Sequence, residues 1–392
     1  MGTEKLVIGV PREILAAETR VAATPETVGE IVAAGHRVLV EANAGDRAFI
    51  DDARYTESGA EIVQDVQEMY RQATVILKVK EPQFNEELGK HEAELYTEGS
   101  VLMCFLHPAN KANHEMLNIL ARRGITSYTL DGVPRISRAQ QMDALTAMST
   151  CAGYKAALFA ASHIGGFVPM MPTPFGVLAP SQFLVVGVGV AGLQTIATAK
   201  RLGAKVKALD IRPEANDQAR SLGAEVIEFD VPADLAIGKG GYARSLPEEW
   251  YAREREALAP HVATSDAVIL SALIPGEVAP IIVDDDMIKQ MKKGSTIIDI
   301  AVDQGGNCTA TRAGEEYDHN GVIVSGVKNI PATLPVASTN MFSQSIFHFF
   351  AYILEGGVLR TDSSDEIVSS TLVTYQNQVV HKGTLKAMGL AE

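Results

Sequence analysis

Three glycines, Gly187, Gly189 and Gly192, stand in the spacing GxGxxG between an apolar run, FLVVG, and a helical pattern, AGLQTIATAKRLGA. Little else in the chain restricts its fold so tightly. The spacing demands a strand that turns at once into a helix, with the glycines permitting a tight turn and close packing of helix on strand. A turn of this kind offers unpaired N–H groups and the positive end of a helix dipole, which suit a dinucleotide pyrophosphate. At the end of the next apolar run, KVKALDIR, stands Asp210, about 20 residues beyond the glycines. An acid there bonds the adenosine ribose hydroxyls and repels a 2′-phosphate, which argues for NAD over NADP. Arg212, two residues on, is a residue type that accepts a 2′-phosphate and pulls the other way. The candidate cofactor contacts are Gly187, Val188, Gly189, Val190 and Gly192 at the turn, with Asp210, Ile211 and Arg212 at the strand end.

The rest of the chain alternates short apolar runs with helical patterns, as an α/β architecture does. KLVIGVP, RVLVEA, TVILKVK, SVLMCFLH and ITSYTL read as strands. TPETVGEIVAAGH reads as a helix opened by Thr24 with Pro25 at its first position. An Ala-rich helix from about Asp143 to His163 joins this region to the glycine turn. GGFVPMMPTPFGVLAP between them is a loop by composition. STNMFSQSIFHFFAYILEGG reads as a helix, and EIVSSTLVTYQNQVV as a hairpin turning at Gln376 and Asn377. The expected architecture is two Rossmann-like α/β domains with a cofactor cleft between them. The first is discontinuous, 1–145 with 329–392, and 146–328 is the nucleotide-binding domain.

Composition excludes several functions. Acidic residues outnumber basic ones, 48 to 34, leaving no basic face for nucleic acid. Cys104, Cys151 and Cys308 are far apart and odd in number, so no disulfide framework and no metal site is expected. The opening residues carry no secretory pattern. Leu6 stands where a myristoylation signal wants Ser or Thr. No apolar run is long enough to span a bilayer, so a cytoplasmic chain without direct membrane insertion is expected.

The motifs together resemble a known family. PRISRAQQMDAL, GVGVAGLQTIATAKRLGA, GGYA, SALIPG and GGNC are similar to the NAD(H)-binding domain I of the proton-translocating nicotinamide nucleotide transhydrogenases. Alanine dehydrogenase is the close relative sharing that fold, and the resemblance covers nearly the whole chain. It implies that Arg135 and Asp143 hold the nicotinamide carboxamide of NAD(H), and that Gln140 reaches toward a second nucleotide. It also implies that Tyr242 closes over the nucleotide on a lid-like insertion, with Leu273 of SALIPG a further cofactor contact. A homodimer is implied, as are separate NADP-binding and membrane subunits that would hold this chain peripheral to the inner membrane. Hydride transfer between two nicotinamides needs no acid or base. It needs donor and acceptor carbons held in contact, which a polar loop can enforce.

Four residues fit the other branch. Arg20, Lys80, His107 and Asp303 resemble the positions at which alanine dehydrogenase grips and deprotonates its substrate. Oxidising an amino acid needs a cationic clamp for the carboxylate and a group that moves a proton while hydride leaves Cα. The alternative is therefore an NAD-dependent amino-acid dehydrogenase. Singly, Arg20 and Lys80 read equally well as surface cations and His107 as a hydrogen-bonded strand end. A redox-sensing NAD-binding module is the non-enzymatic alternative, ranked lower because no DNA-binding element accompanies it.

Overall fold

A computed structural model describes residues 5–238, 243–274, 278–354 and 358–391. The chain divides into two compact units, 1–148 with 332–392, and 149–331.

The first unit is built on an eight-stranded sheet. Val7–Val10 (β1) pairs in parallel with Arg37–Glu41 (β2) on one side and Val75–Leu77 (β4) on the other. Glu61–Val63 (β3) extends β2. A two-strand ribbon, Phe84–Asn85 (β5) and Lys90–His91 (β6), stands apart from the sheet. Val101–Cys104 (β7) and Thr126–Thr129 (β8) extend β4 in parallel. Two strands from the far end of the chain, Leu372–Tyr375 and Gln378–Val379, finish the edge in antiparallel fashion. β1, β4 and β7 are short apolar runs, because both faces of a parallel sheet are covered, while β8 is polar in sequence yet wholly buried.

One face carries Pro25–Ala33 (α1). Thr24 and Thr27 cap its start reciprocally and Pro25 occupies its first turn, an arrangement contributing about 1 kcal/mol. The same sheet packs against helix Pro335–Ile353, whose Phe342 ring lies 5.5 Å from Phe105 and whose Phe349 ring lies 6.0 Å from Tyr128. Asp52–Glu57 (α2), Val66–Gln72 (α3) and His114–Arg122 (α4) complete the cover. Met69, Tyr70, Leu117 and Leu120 are buried in one cluster with Leu39, Ile76 and Leu102 of the strands. Chain order reverses between β1 and β4, so their carboxyl ends flank the crevice where an open α/β sheet takes its ligand.

Ala144–His163 (α5) leads the chain from the first unit into the second. The stretch expected as a loop contains a hairpin instead, Met171–Thr173 (β9) and Gly176–Leu178 (β10). Thr173 holds its turn, accepting from the Phe175 N–H and donating to the Gly176 carbonyl. Gly176 adopts φ +125°, which only glycine does without strain. The proline and glycine content that suggested a loop here serves a ribbon.

The second unit has a seven-stranded sheet. Its parallel strands are Gln182–Val186 (β11), Lys205–Leu209 (β12), Glu225–Val226 (β13), Ala267–Leu270 (β14), Ser295–Asp299 (β15) and Val322–Ser325 (β17), with Glu316–His319 (β16) antiparallel at the edge. The order is β13-β12-β11-β14-β15-β17-β16, with its switch point between β11 and β14. Val190–Arg201 (α6), Pro213–Ser221 (α7), Ala233–Ala236 (α8) and Glu248–Thr264 (α9) connect the strands. The C-terminal stretch also departs from expectation. Glu366–Thr371 is helical, capped by Asp365, and only Leu372–Val379 forms the hairpin, with Gln376 and Asn377 at φ +48° and +63°. All three cysteines are buried thiols.

Candidate functional site

In the second unit, β11 runs into the glycine turn at the switch point. Gly187 has φ +84°, and a Cβ there would sit 2.6 Å from the Ser271 and Ala272 backbone at the end of β14. A Cβ on Gly192 would come within 2.1 Å of the Gly187 carbonyl oxygen, so α6 packs as close to β11 as a backbone allows. Gly189 is different: a Cβ there would meet nothing within 4 Å. It is the N-cap of α6 and supplies no side-chain cap, so the helix start is left for another acceptor. The turn thus fits a dinucleotide, with two glycines demanded by packing and one open to the outside.

Val188 donates its N–H to Asp210 Oδ2 at 2.7 Å, which ties the turn to the end of β12. The Asp210 carboxylate is buried and fully used. It also accepts the Arg212 N–H, Nε and Nη2, each at 2.9 Å. The Asp210 carboxylate in turn holds Arg212 above its ordinary pKa. Ile211 packs in a small cluster with Phe229, Trp250 and Tyr251.

Leu273 follows β14 and is partly exposed. The loop carrying it is fixed by residues to which the sequence assigns no role. Ser271 Oγ donates to the Gly187 carbonyl at 2.7 Å. Asn307 accepts from the Ala272 N–H at 3.0 Å and donates to the Ala272 and Pro280 carbonyls at 2.9 and 2.8 Å. Asp299, at the end of β15, accepts from the Asn307 N–H at 2.8 Å and the Thr311 hydroxyl at 2.6 Å. The GGNC stretch is the one visible signal, and its asparagine is the knot. Glu254 on α9 gives no sign of itself in the sequence; its carboxyl is buried, and burial together with the nearby Asp210 charge pushes it up to about 7. Tyr242 lies outside the described residues. Asp303 is exposed, with one long hydrogen bond from the Asn329 N–H.

In the first unit, the strand ends gather a second set. Arg20 is no surface cation: it is buried, and Glu18 takes its Nε and Nη2 at 2.7 and 2.6 Å. It lines a cavity of about 130 Å³ with Arg12, Glu13, Asn43 and Arg47. Lys78, wholly buried after β4, bonds Glu92 at 2.7 and 2.8 Å. Burial opposes its charge, yet Glu13 and Glu92 hold it above its ordinary pKa. Burial pushes the Glu13 carboxyl up to about 7 although Lys78 pulls against it. Lys80 is half-buried, and Glu13 accepts its N–H.

His107 lies three residues beyond β7 with φ +45° and stacks on Phe105, rings 5.8 Å apart. Its Nδ1 meets Asp131 at 2.7 Å, and Glu81 lies 3.8 Å from Nε2. Burial disfavours the imidazolium, but Asp131 more than offsets it and raises the His107 pKa. Asp131 itself is lowered to about 2, burial notwithstanding, by His107 and Thr129. Such a pair fixes the ring's tautomer and leaves Nε2 to handle a proton. Arg20, Lys80 and His107 thus all follow strands of one sheet, β1, β4 and β7, though of the three only Arg20 lines the cavity. Asp303 belongs to the other unit.

The polar cluster ahead of α5 is a 3-10 turn, Ser137–Met142, anchored by buried Ala139 and Met142. Arg135 and Gln140 are exposed. Asp143 caps α5, accepting the Thr146 N–H at 2.8 Å and its hydroxyl at 2.6 Å. Arg138 is held by Tyr352 at 2.9 Å and by Asp365.

Two family models match the sequence, the alanine dehydrogenase/PNT N-terminal domain over residues 9–152 and its C-terminal domain over 156–382. The chain belongs to the alanine dehydrogenase/PNT family. Within it, the chain is 40% identical to an NAD(P) transhydrogenase alpha-subunit chain of Rhodospirillum rubrum, over 95% of this chain and 97% of that one. Alanine dehydrogenase 2 of Staphylococcus aureus is 33% identical, over 97% and 96%. Among solved structures, the transhydrogenase from Sinorhizobium meliloti is similar with TM-score 0.82 and 33% identity, over 96% of this chain and 99% of that one. An L-alanine dehydrogenase gives 0.81 and 28%, over 98% and 99%. Both branches of the family therefore share this fold.

Proposed function

We propose that this chain is the NAD(H)-binding subunit of a proton-translocating transhydrogenase, passing hydride between NADH and NADP held on a partner. The observation that carries the reading is the near-complete likeness to transhydrogenase alpha chains at higher identity than to alanine dehydrogenase. The bound nicotinamide supplies the hydride; the residues of this chain bind and orient. Gly187, Gly189 and Gly192 cradle the pyrophosphate at the start of α6, with Val188 and Val190 beside them. Asp210, Ile211 and Arg212 receive the adenosine ribose. Ser271 and Asn307 set the loop bearing Leu273. Arg135 and Asp143 take the nicotinamide carboxamide, Gln140 reaches the second nucleotide, and Tyr242 covers the site.

A homodimer fits an exposed ribbon. Phe175 at the tip of β9–β10 is 99% exposed and Val177 65%, and side chains of this kind favour burial against a second copy. No helix among the described residues is long and apolar enough to cross a membrane. The likeness to transhydrogenase alpha chains supports assigning the proton path to a separate subunit, with this chain on the cytoplasmic side. The test is reduction of an NADP analogue by NADH, using the purified chain mixed with an isolated NADP-binding transhydrogenase subunit. Transfer that depends on both supports the reading; no transfer by an NADH-saturated mixture overturns it.

The His107–Asp131 pair favours a second reading, an NAD-dependent amino-acid dehydrogenase. There His107 moves the substrate proton while Arg20 and Lys80 hold its carboxylate. Arg20 is engaged by Glu18 at Nε and Nη2 and by Met148 Sδ at Nη1, so this clamp has to open one of those contacts. NADH oxidation with ammonium and pyruvate, abolished by His107→Ala, would establish it.

A further inference from the structure

The turn Ser137–Met142 carries or adjoins Arg135, Gln140 and Asp143, and the first unit holds it more firmly than an exposed polar turn needs. Both ends of the stretch are fixed. A Cβ on Gly132 would sit 1.9 Å from the Ser370 carbonyl oxygen, so the chain entering it lies against the helix Glu366–Thr371. Asp143 caps α5 on the way out. Between these ends Ala139 and Met142 are buried, while Arg135, Arg138 and Gln140 are exposed.

Arg138 is turned back onto its own unit. Its Nη1 donates to the Tyr352 hydroxyl at 2.9 Å and its Nη2 to Asp365 at 3.2 Å. The Tyr352 hydroxyl donates in turn to Asp365, so guanidinium, phenol and carboxylate close a ring of contacts. Arg360 backs that ring, its guanidinium carbon 4.6 Å from the centre of the Tyr352 ring and its Nη1 3.8 Å from Asp365. The Arg360 carbonyl accepts the Tyr128 hydroxyl at 2.6 Å, and its N–H donates to the Ile353 carbonyl at 2.8 Å. A continuous path thus runs from β8 through Arg360, Tyr352 and Asp365 to the middle of the turn.

Stability does not account for this clasp. The Arg138 side chain is 51% exposed, and an ion pair so open to water contributes about 0–1 kcal/mol. What it supplies is geometry. A planar guanidinium held at two nitrogens, by partners bonded to each other, has one orientation. Gln140 lies two residues along and Arg135 three residues back, so their backbone follows Arg138. Hydride transfer falls steeply when donor and acceptor are displaced, and about 1 Å can cost a hundredfold.

We infer that Arg138, clasped by Tyr352 and Asp365, is a positioning residue for hydride transfer, acting through Arg135 and Gln140. This rests on the reading of the chain as the NADH-binding partner in transhydrogenation. The test is the rate of transfer from NADH to an NADP analogue, with the whole chain and a saturating isolated NADP-binding subunit, measured beside NADH affinity and melting temperature. Arg138→Gln slows transfer roughly tenfold, while the Kd for NADH moves less than about twofold and Tm stays within about 3 °C. Tyr352→Phe removes one hydroxyl and keeps the ring; it slows transfer about threefold and stands in if the glutamine variant does not fold. The two changes together are no slower than Arg138→Gln alone, because both cut the same clasp. Arg138→Lys keeps the charge but not the fork and stays slow; full recovery with lysine would show that charge alone suffices and overturn the inference. Folded variants transferring at the wild-type rate overturn it too. So does a rate lost only in step with NADH affinity and melting temperature, which leaves Arg138 a structural residue. Wild type that binds NADH yet transfers nothing sinks the transhydrogenase reading itself, and the inference with it.

Discussion

Glu254 makes stability answer to pH. Its carboxyl is raised from 4.5 to about 7, so between those values the folded protein holds a proton that the unfolded chain has lost. Stability from this group is complete below pH 4.5 and falls as pH rises toward 7, by roughly 3 kcal/mol at most. Glu254→Gln is expected to melt higher than wild type at pH 8 and close to it at pH 4.5, by calorimetry across that range. Asp131 runs the opposite way. Its carboxyl is lowered from 3.8 to about 2, so its contribution is present above pH 4 and disappears as pH falls toward 2. Asp131→Asn should cost roughly 2 kcal/mol at pH 7, with the difference from wild type closing below pH 3 in urea titrations. A flat difference across that interval would mean that His107 and Asp131 are not coupled as their 2.7 Å contact implies.

At the scale of elements, the glycine turn admits little change. Gly192→Ala puts a methyl group 2.1 Å from the Gly187 oxygen. Separating α6 from β11 to relieve it should cost about 1–3 kcal/mol and abolish NADH binding in an equilibrium titration. Retained binding would show that the turn is not where the pyrophosphate rests. The C-terminal hairpin has the reverse slack. Gln376 and Asn377 both sit at positive φ, where an Asn-Gly pair is at ease. Replacing the pair by Asn-Gly should stabilise the protein by about 0.5–1 kcal/mol, read as a rise in denaturation midpoint.

These two turns also mark what can be read from residues alone. Gly187, Gly189 and Gly192 between an apolar run and a helical one leave few alternatives, and Thr24 followed by Pro25 announces α1 as plainly. The β9–β10 ribbon is hidden because its strands are three residues long and its composition is that of a loop. Glu254 is invisible for another reason. An acid on a helix reads as solvent-facing until the buried stripe through Tyr251, Leu258 and Val262 is known. Asn307 needs the path of the backbone, since its partners at Ala272 and Pro280 lie about 30 residues away in the chain. Arg20 looks like a surface cation because nothing in TRVAAT tells that Glu18 turns back onto it.

For the whole molecule, the exposed ribbon gives the assembly prediction. If the proposed homodimer forms through the ribbon, Phe175→Asp combined with Val177→Asp shifts it to monomer in sedimentation velocity while leaving its melting curve single. An unchanged dimer would place the contact between copies elsewhere. The division of the chain has a separate consequence, for its synthesis. The second unit is continuous, 149–331, whereas the first lacks residues 332–392 until the end. Those residues include the helix that brings Phe342 and Phe349 onto the first sheet, and its two antiparallel edge strands. A ribosome adding 5–20 residues per second leaves that sheet face bare for roughly 3–12 s while the second unit is already complete. For those seconds the nascent chain is one finished domain tethered to an open one, and a chaperone that shields apolar strands meets it there.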